Sequence, residues 1–168
     1  MVVVAVSLGA PACRSRNGLS EPPKEVAKLG DLIGKWKSTS RRLASNLRAN
    51  TSDMELTFEC QWTLDKYYVS CLQTGEINGK KVKEADVFGY SEQARLYTMT
   101  VVVDVEDVPL QVYSNWFAWE GNIWRFLPRD GIRSTWELKS PDLHITQTER
   151  SVDGVWVVSS TGQHTRIP

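Results

Sequence analysis

The side chains best suited to catalysis are sparse in this 168-residue chain, which contains two histidines and three cysteines. An acid–base enzyme needs a general base and a polarising group that face one cavity. His144 with Glu149 or Asp86 could supply such a pair, but no spacing in the sequence requires these side chains to meet. No catalytic residue is therefore assigned, and the sequence favours a protein that is not an enzyme.

Cys60 and Cys71 form the second candidate for chemistry. A two-residue turn at 65–66 would pair the flanking strands so that Cys60 lies opposite Cys71. We expect their Cα atoms to be about 5.5 Å apart, within disulfide range. The pair would oxidise in an exported protein and remain two buried thiols in the cytosol. No histidine or further cysteine joins them at the spacing of a metal site, so no metal is expected.

Composition narrows the classes of function. Lysine plus arginine equals aspartate plus glutamate at 20 each, so no net charge attracts nucleic acid or an anionic membrane. A hydrophobic content of 41% is typical of a globular protein. Seven tryptophans and five tyrosines suit either large side chains that fill an interior or a cavity lined by them. The sequence predicts one domain over residues 21–168.

Residues 1–20 differ from the rest and are predicted to be a signal-like or disordered segment. The apolar run 2–12 is too short to span a bilayer, so no transmembrane segment is expected. Ala10 and Ala12 fit a signal-peptidase cleavage pattern, although a basic n-region is lacking. Cys13 also fits a lipoprotein cleavage site. We expect a periplasmic, secreted or Cys13-anchored protein, with a cytoplasmic protein as the alternative.

Alternating hydrophobicity indicates the elements that must position these residues. Residues 53–64 place six apolar side chains on one face: Met54, Leu56, Phe58, Cys60, Trp62 and Leu64. Such alternation predicts an antiparallel strand with one buried face. Turn signals then recur at short intervals, for example at Asn78-Gly79 and Asp153-Gly154. We predict an all-β, up-and-down antiparallel barrel of about ten strands, with a short helix at residues 24–32 that plugs one end.

Three segments of the chain resemble a known group of barrels. They are 29–36, 62–68 and 88–91, the last followed by a strand that begins at 96–97. A short helix, a Gly-Lys-Trp segment and an unbroken meander of strands resemble the calycin superfamily, which includes lipocalins and fatty-acid-binding proteins. Within it the chain is most similar to the bacterial domain-of-unknown-function 1579 family. That family has no established activity, so the resemblance implies a fold and not a function.

The resemblance implies how the barrel closes. In lipocalins a late arginine packs over the tryptophan of the first strand, and here Arg166 is the matching residue, with Arg150 second. Gly34 and Trp36 would supply the turn and the indole, and a cation over the indole face would close that end.

The resemblance also raises the question of haem. Nitrobindins, which are calycins, hold haem iron with a histidine, and His144 and His164 are the histidines available. The segment 37–39 lacks the small, glycine-rich continuation of that family. We therefore expect no haem and no other cofactor.

The predicted function is the binding of a small apolar ligand inside the barrel. Strand alternation predicts the residues that line the cavity: Trp36, Leu56, Phe58, Trp62, Tyr67, Val69, Trp116, Trp124, Phe126 and Trp136. The alternative is a structural barrel that these rings fill completely, as they do in small barrels without a ligand. A nitrobindin-like haem protein and a barrel enzyme rank below both. The sequence assigns neither the identity of the ligand nor the oligomeric state.

Overall fold

The computed structural model describes residues 21–43 and 52–168. The signal-like segment 1–20, with Cys13, and the middle of the polar connection after the first strand lie outside these residues. A 3₁₀ helix (Lys24–Leu32) precedes ten strands. The strands are β1 (Gly34–Arg42), β2 (Ser52–Thr63), β3 (Tyr68–Ile77), β4 (Lys80–Ser91), β5 (Leu96–Val105), β6 (Val108–Glu120), β7 (Ile123–Phe126), β8 (Ile132–Ser140), β9 (Leu143–Val152) and β10 (Val155–Ile167).

The strands form one closed antiparallel barrel in which each strand pairs with its neighbours in the chain. Closure comes from β1, which pairs with β2 on one side and with β10 on the other. Closure removes the edges that strands rich in valine and tryptophan would otherwise expose. The predicted all-β, up-and-down barrel with a short N-terminal helix is confirmed.

Strands occupy most of the acidic stretch 104–109. Strand β5 continues to Val105, and β6 already begins at Val108. Pro109 lacks an N–H and is tolerated here because the β5–β6 register shifts between Val103 and Val105. On its other side β6 pairs with the short strand β7 only from Phe117 onward, so the first part of β6 has no second ladder.

The helix covers one end of the barrel, which we call the plugged end. Its apolar face is completely buried through Val26, Leu29 and Leu32. The indole Nε1 of Trp36 donates to the carbonyl of Leu32 at 2.7 Å, and the hydroxyl of Tyr97 donates to the carbonyl of Glu25 at 3.0 Å. The carbonyl of Leu32 is one that the C-terminal end of a helix leaves unpaired. The opposite end, where β1 ends and β10 begins, is the open end.

Aromatic rings fill the plugged half of the interior. Phe88, Phe117 and Trp124 are each at most 2% exposed. Phe117 stacks on Trp124 with ring centroids 5.2 Å apart, and Trp136 stacks on the same indole at 5.5 Å. Rings at these separations pack favourably in addition to their burial. The plugged half is therefore a solid core, and space remains only toward the open end.

Candidate functional site

The open half of the barrel contains a cavity of about 670 Å³. Short hydroxyl-bearing side chains from β1, β9 and β10 make much of its wall, and Trp136 and Met54 add apolar surface. The residues of these strands that line the cavity are Ser38, Ser40, Arg42, Thr146, Thr148, Arg150, Ser159, Ser160 and His164. A cavity of this size, with mixed apolar and polar walls, is within the range of small-molecule sites.

A second space of about 540 Å³ lies between the first part of β6 and the β7–β8 hairpin. It exists because β7 has only four residues and leaves that part of β6 unpaired on one side. Tyr113 and Phe126 line it. Gln111, Ile132 and Trp136 line both spaces. The two spaces therefore meet in one interior region.

Two neutral imidazoles lie at the inner boundary of this region. His144 and His164 are 3% and 8% exposed, and their ring centroids are 6.1 Å apart. Burial lowers the pKa of His144 to about 4 and that of His164 to about 3. Among the described residues, none forms a hydrogen bond with Nε2 of His144 or Nδ1 of His164. His164 lines the larger cavity, so it can offer a polar contact to a ligand there.

An acidic pair faces the interior from β4. Asp86 is 2% exposed, and burial, followed by the charge of Glu84, raises its pKa to about 8. Burial likewise raises the pKa of Glu84. The side-chain amide of Gln73 donates to both carboxyls, at 2.9 Å in the case of Glu84. At neutral pH the Asp86 carboxyl is mostly protonated.

Nine of the ten residues predicted to line the cavity fall into three groups. Phe126 and Trp136 line the open interior space. The core residues of the set are buried inside the barrel without lining it: Trp36, Leu56, Phe58, Val69 and Trp124. Trp62 packs beside Gly30 of the helix, and Tyr67 lies in the turn between β2 and β3 instead of on a wall. The cavity is consequently more polar than the sequence indicated.

Trp116 was predicted to point inward, and the structure places it outside. It is 41% exposed and lies between inward-facing Asn115 and Phe117 on β6. The two-residue turn after β6 pairs Trp119 with Trp124. Paired residues lie on the same face of the sheet, so inward residues with even numbers on β7 pair with inward residues with odd numbers on β6. Trp116 has an even number and therefore faces outward.

The closure residues meet at the plugged end. The guanidinium carbon of Arg166 lies 4.2 Å from the ring centroid of Trp36, and Arg166 also donates to the carbonyls of Ile33 and Pro141. Gly34 has a φ of +122°, and a Cβ there would lie 2.5 Å from Nη1 of Arg166. Arg166, named first from the sequence, is therefore the arginine that covers the indole.

Cys60 and Cys71 are joined in a disulfide. They lie opposite each other in the β2–β3 ladder, in the register expected from a turn at 65–66. Their Cα atoms are 4.0 Å apart, closer than the about 5.5 Å expected for a hydrogen-bonded pair. Both residues are 2% exposed, so the bond belongs to the interior wall.

The hydroxyl-lined wall and the pairing of Asp86 with Glu84 were missed by the sequence interpretation, although signals existed. On β10, small or polar residues alternate as Ser160, Gly162 and His164. On β4, Glu84 and Asp86 fall on the same parity as buried Phe88. Extending the strict alternation used for β2 to these strands would have placed all of them inside.

Across residues 21–43 and 52–168, no group of three or more His, Cys, Asp or Glu side chains could hold a metal ion. None of the described helices is long and apolar enough to cross a membrane. Phe58 and Trp136 lie edge-on to the ring of His164, with ring centroids 5.2 and 4.8 Å away.

Comparison with known proteins supports the fold. No protein-family model matches the chain, and no curated protein matches it. Among solved structures, Rv2717c from M. tuberculosis is similar with a TM-score of 0.56 and 9% identity, covering 88% of this chain and all of its own. The S-type phycobiliprotein lyase CPES from Guillardia theta has a TM-score of 0.57 and 12% identity, covering 84% and 92% of the two chains.

At such low identity the likeness concerns the fold alone. The closed ten-stranded antiparallel barrel is established for this chain, whereas membership of the calycin superfamily and of the domain-of-unknown-function 1579 family stays a prediction.

Proposed function

We propose that this protein binds a small molecule in the interior of its open end. The observation that carries the proposal is the cavity of about 670 Å³ with a buried, unpartnered nitrogen of His164 in its wall. Burying a polar atom without a partner costs free energy, and a ligand that hydrogen-bonds to it recovers part of that cost. One of the two similar structures is a phycobiliprotein lyase. The shared fold therefore supports the proposal only as an analogy.

The walls define the kind of ligand. Trp136 and Phe126 supply flat apolar surface, while Ser38, Thr146 and Thr148 supply hydroxyls. Hydroxyls both donate and accept hydrogen bonds, so they accommodate carbonyl, amide or hydroxyl groups. The ligand we infer has an aromatic or alicyclic body with polar substituents, which is less apolar than the sequence alone indicated.

A structural barrel without a ligand is the second candidate, and the aromatic core favours it. Rings fill the plugged half so completely that Phe117 and Trp36 are both 0% exposed. The whole barrel would then have a structural role, with only solvent in its open half. This candidate predicts that no small molecule saturates the interior.

A cofactor and catalysis are not part of the proposal. A haemin titration provides the check, because the native chain and His164→Ala should show the same absorption spectrum. A Soret shift that is lost in His164→Ala would contradict the absence of haem.

We also propose an exported protein, with a cytoplasmic one as the alternative. The Cys60–Cys71 disulfide supports export, since such bonds persist in oxidising compartments. Mass spectrometry of the protein from each cellular fraction tests this, and a reduced pair in a cytosolic fraction would refute it.

The neutral, environment-sensitive dye prodan tests the ligand proposal. We expect saturable one-to-one binding with a blue-shifted dye emission, because the dye leaves water for a site beside Trp136. Thr148→Phe should abolish binding by filling the cavity.

The matched control is Thr161→Phe, which introduces the same ring at an exposed position of β10. It should bind the dye like the native chain. Absence of saturable binding in the native chain, or equal binding by both variants, would refute the interior site.

A further inference from the structure

The acidic pair on β4 consists of two carboxyl groups inside the barrel, and the residues of the cavity walls supply no partner for them. Glu84 and Asp86 both face the interior; the amide of Gln73 donates to both, and the protonated carboxyl of Asp86 donates to Glu84. One amide nitrogen cannot satisfy four carboxyl oxygens. Among the described residues, none forms a hydrogen bond with the buried Oδ1 of Asp86. A side chain that is 98% buried thus carries an unpartnered acceptor.

No cation of the described chain compensates these carboxyls. None of its ion pairs includes Glu84 or Asp86. The charge that acts on Asp86 is that of Glu84, and it is repulsive. Buried carboxylates are normally paired with a cation or neutralised by a proton. Here a proton neutralises Asp86, and a cation from outside the chain can replace that proton.

The strand register places the pair close to the cavity wall. Asp86 pairs with Val101, which in turn pairs with Tyr113, a residue that lines the smaller space. In the next inward row Glu84 pairs with Val103, and Val103 pairs with Gln111, which lines both spaces. In each row one valine stands between the acidic residue and a residue of the cavity lining. Glu84 is also partly accessible, unlike Asp86.

We propose that Glu84 and Asp86 recognise a basic nitrogen of the ligand, such as a protonated amine, amidine or guanidine. The inference rests on the proposed function, because the ligand must enter the same interior. An N–H of the cation would donate to Oδ1 of Asp86, and its positive charge would lie between the two carboxylates. Charge-assisted hydrogen bonds of this kind are about twice as strong as neutral ones.

A matched pair of probes tests the charge requirement with the full chain. Biphenyl-4-carboxamidine carries a fixed positive charge at neutral pH, and biphenyl-4-carboxamide is its neutral isostere. We expect the native protein to bind the amidine at least about tenfold more tightly, measured by isothermal titration calorimetry. In Glu84→Gln/Asp86→Asn the two affinities should become equal, while the amide binds as before.

The control is Glu76→Gln, which removes an exposed carboxylate from the outer face of β3 and should keep the native preference. Single Glu84→Gln, at the more accessible site, should reduce the preference and serves if the double variant does not fold. Equal affinities in the native protein would overturn the inference and leave the proposed function intact. Failure of both probes to bind would overturn both.

Discussion

His144, His164 and Asp86 are buried residues whose ionisation the barrel changes strongly. Each is held in its neutral form near neutral pH: the pKa values of the histidines fall to about 4 and 3, and that of Asp86 rises to about 8. Desolvation is the first cause in every case. A neutral interior is compatible with an uncharged ligand body. Asp86 can still lose its proton and become negatively charged when a cationic group of the ligand binds next to it.

These pKa values predict a stability maximum near pH 6.5. Below about pH 6.5 the unfolded histidines bind protons that the folded ones do not, so stability falls as pH decreases toward their folded pKa values. Folded Asp86 holds its proton up to a pH of about 8, whereas unfolded aspartate loses it near 4, so Asp86 makes stability fall as pH rises. Above about pH 6.5 the contribution of Asp86 is the larger one, so the free energy of unfolding falls as pH rises.

Urea unfolding at a series of pH values measures this effect. Between pH 6.5 and 8 the free energy of unfolding should decrease by about 1 kcal/mol, and Asp86→Asn should abolish the decrease. Asp53→Asn, at an exposed site, is the control and should leave the decrease unchanged. A native profile that rises over this range would contradict the assigned protonation state.

Arg166 connects the end of the chain to its beginning. It covers the Trp36 indole, donates to backbone carbonyls on both sides of the closure, and pairs with Asp142 at 3.0 Å. We expect Arg166→Met to lower the free energy of unfolding by about 2 kcal/mol. Denaturant unfolding followed by tryptophan emission measures the loss. Arg150→Met, at the exposed end of β9, should cost far less, and equal costs would refute the closure role.

At the scale of elements, the barrel needs strands that approach closely around its circumference. Gly162 on β10 lies beside β1, where an added Cβ would be 2.6 Å from the carbonyl oxygen of Thr39 and 2.7 Å from Cβ of Ser40. These contacts involve backbone and a short side chain, so the strands must move apart to relieve them. The position therefore determines how tightly β1 and β10 close.

Gly162→Ala should consequently destabilise the protein by about 2 kcal/mol, within the range seen when extra volume is forced into a packed site. Thermal unfolding by circular dichroism provides the measurement. Gly30→Ala is the matched control, because its new methyl group would lie at an ordinary contact distance of 3.5 Å from Trp62. An equal loss in both variants would show that close packing at Gly162 is not the cause.

The strands also show which features of the fold could be predicted from the sequence. Clean alternation on β2 and two-residue turns were sufficient for strand number, closure and the Cys60–Cys71 register, since both signals are local. Trp116 was misplaced because its face depends on the register across a turn, which local hydrophobicity does not report. The sequence also did not predict that the first part of β6 lacks a partner strand on the β7 side. This gap follows from the shortness of β7, which is a property of the closed barrel as a whole.

The whole molecule is a barrel of two unlike halves. Helix and aromatic rings fill the plugged half, whereas hydroxyls, an imidazole and the side chains of Arg42 and Arg150 line the space in the open half. Aromatic content alone did not distinguish a filled from an open barrel, because large rings can serve either arrangement. Apolar side chains are also exposed outside on β5 and β6, including Val102, Val112 and Trp116. An apolar probe could therefore bind to the outside of the barrel. A test of the proposed function must show where on the protein the probe binds.

Amide-resolved NMR of the ¹⁵N-labelled chain, titrated with biphenyl-4-carboxamide, tests the interior site most directly. The account predicts saturable chemical-shift changes at inward residues of the open end, at the amides of Ser38, Thr148 and Ser160 and at the indole of Trp136. The outer positions Val112 and Trp116 should remain unperturbed. Shifts confined to the outer strands, or no saturable shift at all, would contradict the claim that the barrel holds its ligand inside.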